Sequence, residues 1–392
     1  MRIVKGKKWI IVFIALVAAG MIAFMIANYV IDPVDYFAAT SNKETYNPNN
    51  YTRKIKTEYI IKRFPDVEGI FLGGSKAGVL DPVRMGHYTG LSYYNLSYTH
   101  GNFSDYETWT RFLLEHLDNL KEITIHLSSI EAGYFSWYRD VYPADNTGVP
   151  AIVTGNLWQL ITENLSYLCT DIRTLWKGFK NPDSGITRDT LATGQKNWRA
   201  AIRRFSEDPA AYLEKNFYSG ADHFLSMLFD RTASDNEQYY QENLESLERI
   251  RDMCAEHGVT LKIVIGASHI YERYQYECEE FFEYLKQIVM ITGGIWDFSS
   301  YSLLNLNPCN FYEKRHYTTQ LGDLEIDIMN GAKDSAAYDN FGIYLTPENV
   351  DDYLNQRRSD WAALKEEYET TGTVILPGMD DPSWIRESDP VV

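Results

Sequence analysis

"FLGGSKAGVLDP" (residues 71–82) decides how this chain is read. The apolar run that begins at "VEGIFL" (67–72) meets two glycines, then Ser75, a lysine and small residues. The run has the length and content of a buried strand, and the glycines mark its end. Asp81 before Pro82 reads as a cap or turn. A serine on that corner is a nucleophile, part of a phosphate-binding turn, or the cap of an ordinary strand-to-helix connection. The phosphate turns fail on spacing. "GGSKAG" lacks the G-x-x-x-x-G-K-[ST] pattern, and Ser75 occupies the second glycine position of G-x-G-x-x-G. A lipase-type elbow, G-x-S-x-G, nearly fits with Ala77 in the last place, but that elbow follows several strands and Ser75 ends the first.

Outward from this corner the chain alternates. A helix is expected over 53–64 up to Pro65, a strand over 91–97, a helix over 105–119 and a strand over 122–128. A helix over 236–258 carries Leu244, Leu247, Ile250 and Cys254 on one stripe and closes at Gly258. A strand over 259–268, a helix over 277–294 and a strand over 295–299 follow. This rhythm predicts an α/β fold, a parallel sheet of about five strands covered by helices, with ligands beyond the carboxyl ends of the strands. Residues 130–238 break the rhythm and read as a mainly helical insertion over one end of the sheet. Its Trp137, Trp158, Trp176 and Trp198 either pack a core or cover a sugar-binding groove. Residues 346–392 read as a C-terminal helix and tail, with Thr346 as cap and Pro347 at the first helical position.

The start stands apart. Residues 1–8 carry Arg2, Lys5, Lys7 and Lys8, and residues 9–31 run without a charge. Twenty-three residues at ~1.5 Å each reach about 34 Å, enough for a ~30 Å hydrocarbon core. A cleaved signal peptide has an apolar region of only about 7–15 residues. The expectation is a single-pass transmembrane anchor at the cell membrane, its basic flank cytoplasmic, a tether over 32–52, and an extracytoplasmic domain over 53–345. Removing the four flank cations from the chain's 37 leaves 33 basic against 54 acidic residues, a net charge of −21. That charge argues against a nucleic-acid partner. Cys169, Cys254, Cys278 and Cys309 match no metal template, and buried thiols with room for one bridge are expected.

A serine nucleophile needs a base and an orienting acid. Among eight histidines, His116 and His257 fall in helices, His126 in a strand, and His269 just after the fourth strand. "NFYEKRHYTTQLGDLEIDIM" (310–329) sets Glu313 three residues before His316. On a turn or first helical coil that spacing puts both side chains on one side, so a carboxylate can hold Nδ1–H and leave Nε2 free for the serine proton. Lys76 is expected to face solvent or an anionic ligand.

Ser75 in "FLGGSKAGVLDP", "YYNLSYTHG" (93–101) and "NFYEKRHYTTQLGD" (310–323) together resemble an SGNH (GDSL-like) hydrolase. The likeness is to the membrane-anchored bacterial branch with D-alanyl-lipoteichoic-acid transfer and alginate O-acetylation proteins, and covers roughly 55–330 without the insertion. The resemblance implies a flavodoxin-like sheet, Ser75 as nucleophile, His316 as general base and Glu313 as orienting acid. Gly101 or Asn95 would stand in the oxyanion hole beside the Ser75 N–H. It implies a serine esterase or O-acyltransferase working through an acyl-serine on a cell-surface glycan or polymer, a membrane-bound O-acyltransferase as partner, and no metal or organic cofactor. Two departures stand out. The family's acid is Asp, and the third strand ends "HLSSIEAG" without the family's Gly-x-Asn-Asp block. They motivate the alternative of a catalytically inactive SGNH-like binding or accessory protein of an acyltransferase complex.

Overall fold

Five apolar runs become the parallel strands of one sheet: β1 (Gly69–Gly73), β2 (Tyr93–Ser97), β3 (Glu122–Leu127), β4 (Thr260–Ile265) and β5 (Ile295–Asp297). The computed structural model describes residues 2–41, 43–47, 51–99, 101, 103–127, 149–180, 188–229, 237–275 and 277–374. A sixth strand, β6 (Ile343–Leu345), lies antiparallel to β5, and the sheet order is β6-β5-β4-β3-β1-β2. Every residue of β1, β2 and β3 is buried. Helices cover both faces, which is why these strands read as continuous apolar runs rather than alternating ones.

Successive side chains of β1 point to opposite faces. Ile70 and Leu72 join Trp109 and Leu113 in one core, and Phe71 joins Met85 and Ile326 in another. The first face is covered by α4 (Phe103–His116) and α7 (Glu237–Glu256), with α8 (Glu279–Thr292) beside α7. The second carries α3 (Pro82–Thr89) and α9 (Thr319–Met329). A bidentate ion pair clamps these two helices, with Arg84 Nε and Nη2 each 2.7 Å from an Asp327 oxygen and Tyr88 Oη donating to the same carboxylate. Registers align Gly73 with Ser97 and with His126. The carboxyl ends of β1, β2 and β3 therefore finish level.

The chain departs from its expected layout in three places. Residues 32–41 and 43–47 are packed against the domain instead of forming a tether. Asp35 pairs with Lys43 (2.6 Å) and Arg188 (3.1 Å), and Thr45–Tyr46 forms a two-residue ribbon with Asp189–Thr190. Burial would push the Asp35 carboxyl up, but these cations and the Asn47 N–H hold it below the usual range. The last helix, α10 (Val350–Thr371), begins four residues after Thr346, because 346–349 close a turn in which Val350 N–H donates to the Thr346 carbonyl. The four cysteines are free thiols, with Cys169 exposed.

The insertion is helical where described, with α5 (Leu157–Leu168), α6 (Ile172–Lys180) and shorter helices up to Phe229. Trp137 lies outside the described residues. Helix α1 (Arg2–Ile31) contains the 25-residue stretch Lys7–Ile31, long and apolar enough for a membrane span or a signal sequence.

Candidate active site

Ser75 opens a 3-10 helix, Ser75–Val79, placed between β1 and α3. A Cβ on Gly73 would stand 2.7 Å from both Ala77 Cβ and the His126 carbonyl oxygen, so only glycine lets the corner fold back onto the sheet. Asn95 fixes the far end. Its Nδ2 donates to the carbonyls of Ala77 (2.7 Å) and Leu80 (2.9 Å), and its Oδ1 accepts from Ser97 N–H (3.0 Å). Both side-chain hydrogens are spent on the corner's backbone, so the Asn95 amide is a structural clamp, not an oxyanion donor. Lys56, from α2 (Thr52–Arg63), braces the end of β2 by donating to the Ser97 carbonyl (2.7 Å). Asp81 caps α3, accepting from Val83 N–H at 2.8 Å. As first residue of its turn, Ser75 keeps a backbone N–H without a helical acceptor.

His316 and Glu313 arrive from far along the chain. Phe311–Glu313 and His316–Tyr317 form a tight hairpin in which Glu313 lies directly opposite His316. The acid-x-x-His spacing is thus a cross-strand pair over a two-residue turn, where the sequence suggested a turn or first helical coil. Thr318 then caps α9, whose Gly322 packs against Val79 of the serine corner. Together with the Arg84–Asp327 clamp, this contact brings the hairpin to the end of β1. His316 Nε2 stands 2.7 Å from Ser75 Oγ. His316 Nδ1 is hydrogen-bonded to Glu313 Oε1. With Nδ1–H donated to the carboxylate, Nε2 carries the lone pair that faces the hydroxyl.

The electrostatics suit a base that is neutral and ready. Burial lowers the His316 pKa, the Glu313 hydrogen bond and charge oppose this, and Lys196 and Lys76 add to the lowering; the ring ends below its ordinary value. Burial pushes the Glu313 carboxyl up, but the His316 bond and charge and the Arg315 N–H outweigh it, so it stays ionised. Behind the hairpin lies a second, fully buried chain. His126 Nε2 meets Tyr317 Oη at 2.7 Å, Tyr317 Oη donates to Glu325 Oε2 at 2.8 Å, and Ala267 N–H donates to Glu325 Oε1 at 2.8 Å. Burial pushes His126 down to about 3, so it is neutral. Tyr317 adjoins His316, and this chain holds the hairpin from beneath.

Two residues of the insertion reach the Ser75–His316 pair, and sequence spacing did not single out either. The Trp198 ring lies 5.2 Å from the His316 ring and stacks on Tyr312 at 4.5 Å. Lys196 Nζ sits 4.1 Å from the Trp198 ring centre. The Lys196 stem covers Gly78, where a Cβ would come 2.9 Å from Lys196 Cβ. In a 3-10 turn residues i and i+3 eclipse, so Gly78 lies on the Ser75 side and Lys196 approaches the site from there. The only signal was the tryptophan-rich composition of the insertion. Because Lys196 helps hold the His316 pKa down, Lys196→Met should raise it. The acid limb of the Ser75 labelling rate against a fluorophosphonate should then move to higher pH; an unmoved limb would show that Lys196 does not act on the imidazole.

Lys76 is buried, with Nζ 2.5 Å from Glu272 Oε2, and so faces neither solvent nor a ligand. The corner places it under the sheet edge, where only a paired ammonium is tolerated. His269 is fully buried among Phe217, Tyr271 and Phe311. Gly101 packs on Tyr106, and no hydrogen bond among the described residues joins it to Ser75. Among the described residues no group of three or more His, Cys, Asp or Glu is arranged to hold a metal. No known protein family, curated protein or solved structure matches this chain.

Proposed function

We propose that this chain is a single-pass membrane protein of the SGNH hydrolase-like class, with its main domain outside the cell. That domain works as a serine esterase or O-acyltransferase on an acylated cell-surface glycan or polymer. The observation that carries the reading is the hydrogen-bonded chain Ser75–His316–Glu313 at the carboxyl edge of a parallel sheet. The five parallel strands run 2-1-3-4-5, the order of flavodoxin-like sheets, whose ligands sit where the order reverses. Ser75 follows β1 at that reversal.

In this reading Ser75 Oγ attacks the ester carbonyl carbon while its proton passes to His316 Nε2. The imidazolium, held by Glu313, returns the proton to the departing alkoxide, and the acyl group stays on Ser75. Water or a sugar hydroxyl then gives its proton to His316 and attacks the acyl-serine carbonyl, and His316 returns that proton to Ser75 Oγ as the acyl–Oγ bond breaks, which frees Ser75. The Ser75 N–H is the assigned oxyanion donor; such a donor is worth about 3 kcal/mol in the transition state. Trp198 beside His316 offers a flat apolar wall for a sugar ring. The anchor keeps the site close to membrane-attached polymers and to an O-acyltransferase partner in the same membrane.

A second reading, an inactive binding or accessory protein, is favoured by one observation: the Asn95 amide is committed to the corner and leaves the oxyanion site with fewer donors. A fluorophosphonate probe on the purified full chain separates the two. The enzyme reading expects a covalent adduct on the Ser75 peptide, lost in Ser75→Ala and slowed in His316→Ala. A folded chain that takes no label supports the binding role.

A further inference from the structure

We infer that helices α5 and α6 form an amphipathic foot embedded in the outer headgroup layer of a lipid bilayer, beside the point where α1 leaves it. The inference rests on reading α1 as a retained membrane span and is independent of the serine chemistry.

The two helices expose a face that no part of the described chain covers. Leu157 and Trp158 of α5 are 69% and 72% exposed, and Ile172, Trp176 and Phe179 of α6 are 70%, 57% and 64% exposed. By contrast Tyr167 of α5 is fully buried, stacked on Tyr36 at 4.2 Å. The helices therefore have an inside fixed to the domain and an apolar outside. On α6, Ile172, Leu175, Trp176 and Phe179 recur at helical spacing, and Arg173, Lys177 and Lys180 supply cations without an acid between Ile172 and Lys180. A domain of net charge −21 has placed a purely basic helix here. Aromatic rings with lysine and arginine on one short helix are the signature of a segment lying in a membrane interface.

Position picks the occupant. Asn28 Nδ2 of α1 donates to the Leu168 carbonyl at 3.0 Å, and Tyr167 Oη donates to Asp32. Gly178 of α6 lies against Pro33 and Ile31, where a Cβ would clash with the Pro33 ring. The side chains of the apolar helix are exposed from Lys7 to Ala23; beyond that Phe24, Met25 and Ala27 are half-buried and Asn28 is buried, while Ile26, Tyr29 and Val30 stay exposed on the other side. Phe24 lies seven residues before Ile31, about 10 Å along the axis. Interfacial helices insert their apolar faces by about 5–10 Å, so the foot meets α1 at the depth such helices occupy. The same contacts make the end of α1 part of the folded domain, which a cleaved leader would strip away.

The test uses the full chain in phosphatidylcholine–phosphatidylglycerol vesicles that contain 5-doxyl lipid, with tryptophan emission as the readout. Three variants are compared with the native chain: Trp9→Phe, Trp158→Phe/Trp176→Phe, and all three changes together. Phenylalanine keeps the face apolar. The foot predicts that the double variant loses a large share of the doxyl-quenchable emission, that Trp9→Phe loses a separate share, and that the triple variant loses nearly all of it. If Trp9 is quenched but Trp158 and Trp176 are not, the foot is overturned while the anchor stands. Quenching of those two by aqueous iodide would then mean an open face, and shielding from both quenchers a second copy or another protein in place of lipid. An unquenched Trp9 overturns the anchor and the foot with it.

Discussion

Ser75→Ala and His316→Ala should each lower hydrolysis of a short aryl ester by the full chain by about 10⁴- to 10⁶-fold, and the double variant should lose little more. The non-additivity follows from the geometry. In the enzyme reading the hydroxyl is reactive only because Nε2 lies 2.7 Å away to take its proton, so removing either group removes the same step. Glu313→Gln tests the third member differently. An amide at that position offers an N–H to the imidazole, favours the wrong tautomer, and should cost on the order of 10⁴-fold with the fold intact. Glu313→Asp should keep a measurable part of the activity, because the carboxylate is retained one methylene shorter across the hairpin. In all variants the pH profile carries the signature of the base. Burial holds the His316 pKa below its ordinary value, so activity should be flat through neutral pH and fall on the acid side, as the ring gains the proton that blocks it. Equal residual activity in the native chain and Ser75→Ala would end the enzyme reading.

Much of this site was legible because it sits on local signals. The double glycine before Ser75, the apolar runs and the acid three residues before His316 are short-range patterns, and each sheet strand they implied is present. The meeting of Ser75 with His316 rested on a topological rule, that a parallel sheet gathers its strand ends at one edge. Other features were hidden for physical reasons. β6 is three residues long and too short for periodicity to show. Residues 32–52 looked like a tether because Asp32 and Asp35 are turn formers. Both adopt positive φ (45° and 58°), but the turn then folds back and Asp35 is held by Lys43 and Arg188. Lys196 and Trp198 lie more than a hundred residues from both Ser75 and His316, and no spacing rule spans that distance. Asn95 was correctly placed beside the corner. Its role was misread, because sequence gives proximity but not which acceptors a side-chain amide will find.

Lys76 makes the sharpest case of a misread residue, and its removal should be the most destabilising change near the site. A lysine directly after Ser75 looks like a ligand-binding cation. In the fold it turns inward, and its ammonium meets the Glu272 carboxylate at 2.5 Å with both side chains almost fully buried. Ser268 Oγ is a further donor to the same oxygen, at 3.3 Å, and Glu272 Oε1 has no hydrogen-bond partner among the described residues. Lys76→Met would leave a buried carboxylate without its cation, which typically costs about 3–5 kcal/mol. Burial already raises the Glu272 pKa, and Lys76 is the main restraint on it, with Arg315 adding to the lowering. Without the lysine the folded-state pKa should rise further above the unfolded value. The protonated form is then the one the fold tolerates, so the variant should be least impaired at low pH and lose stability progressively as pH rises through that interval. Thermal unfolding of the full chain in detergent at pH 5 and pH 8 reads this directly, with a larger drop in Tm at pH 8. Lys76→Met/Glu272→Met should recover most of the loss, since two apolar side chains of similar length leave no charge buried. If the single variant unfolds like the native chain at both pH values, the ion pair contributes nothing and the corner is held by Asn95 and Gly73 alone.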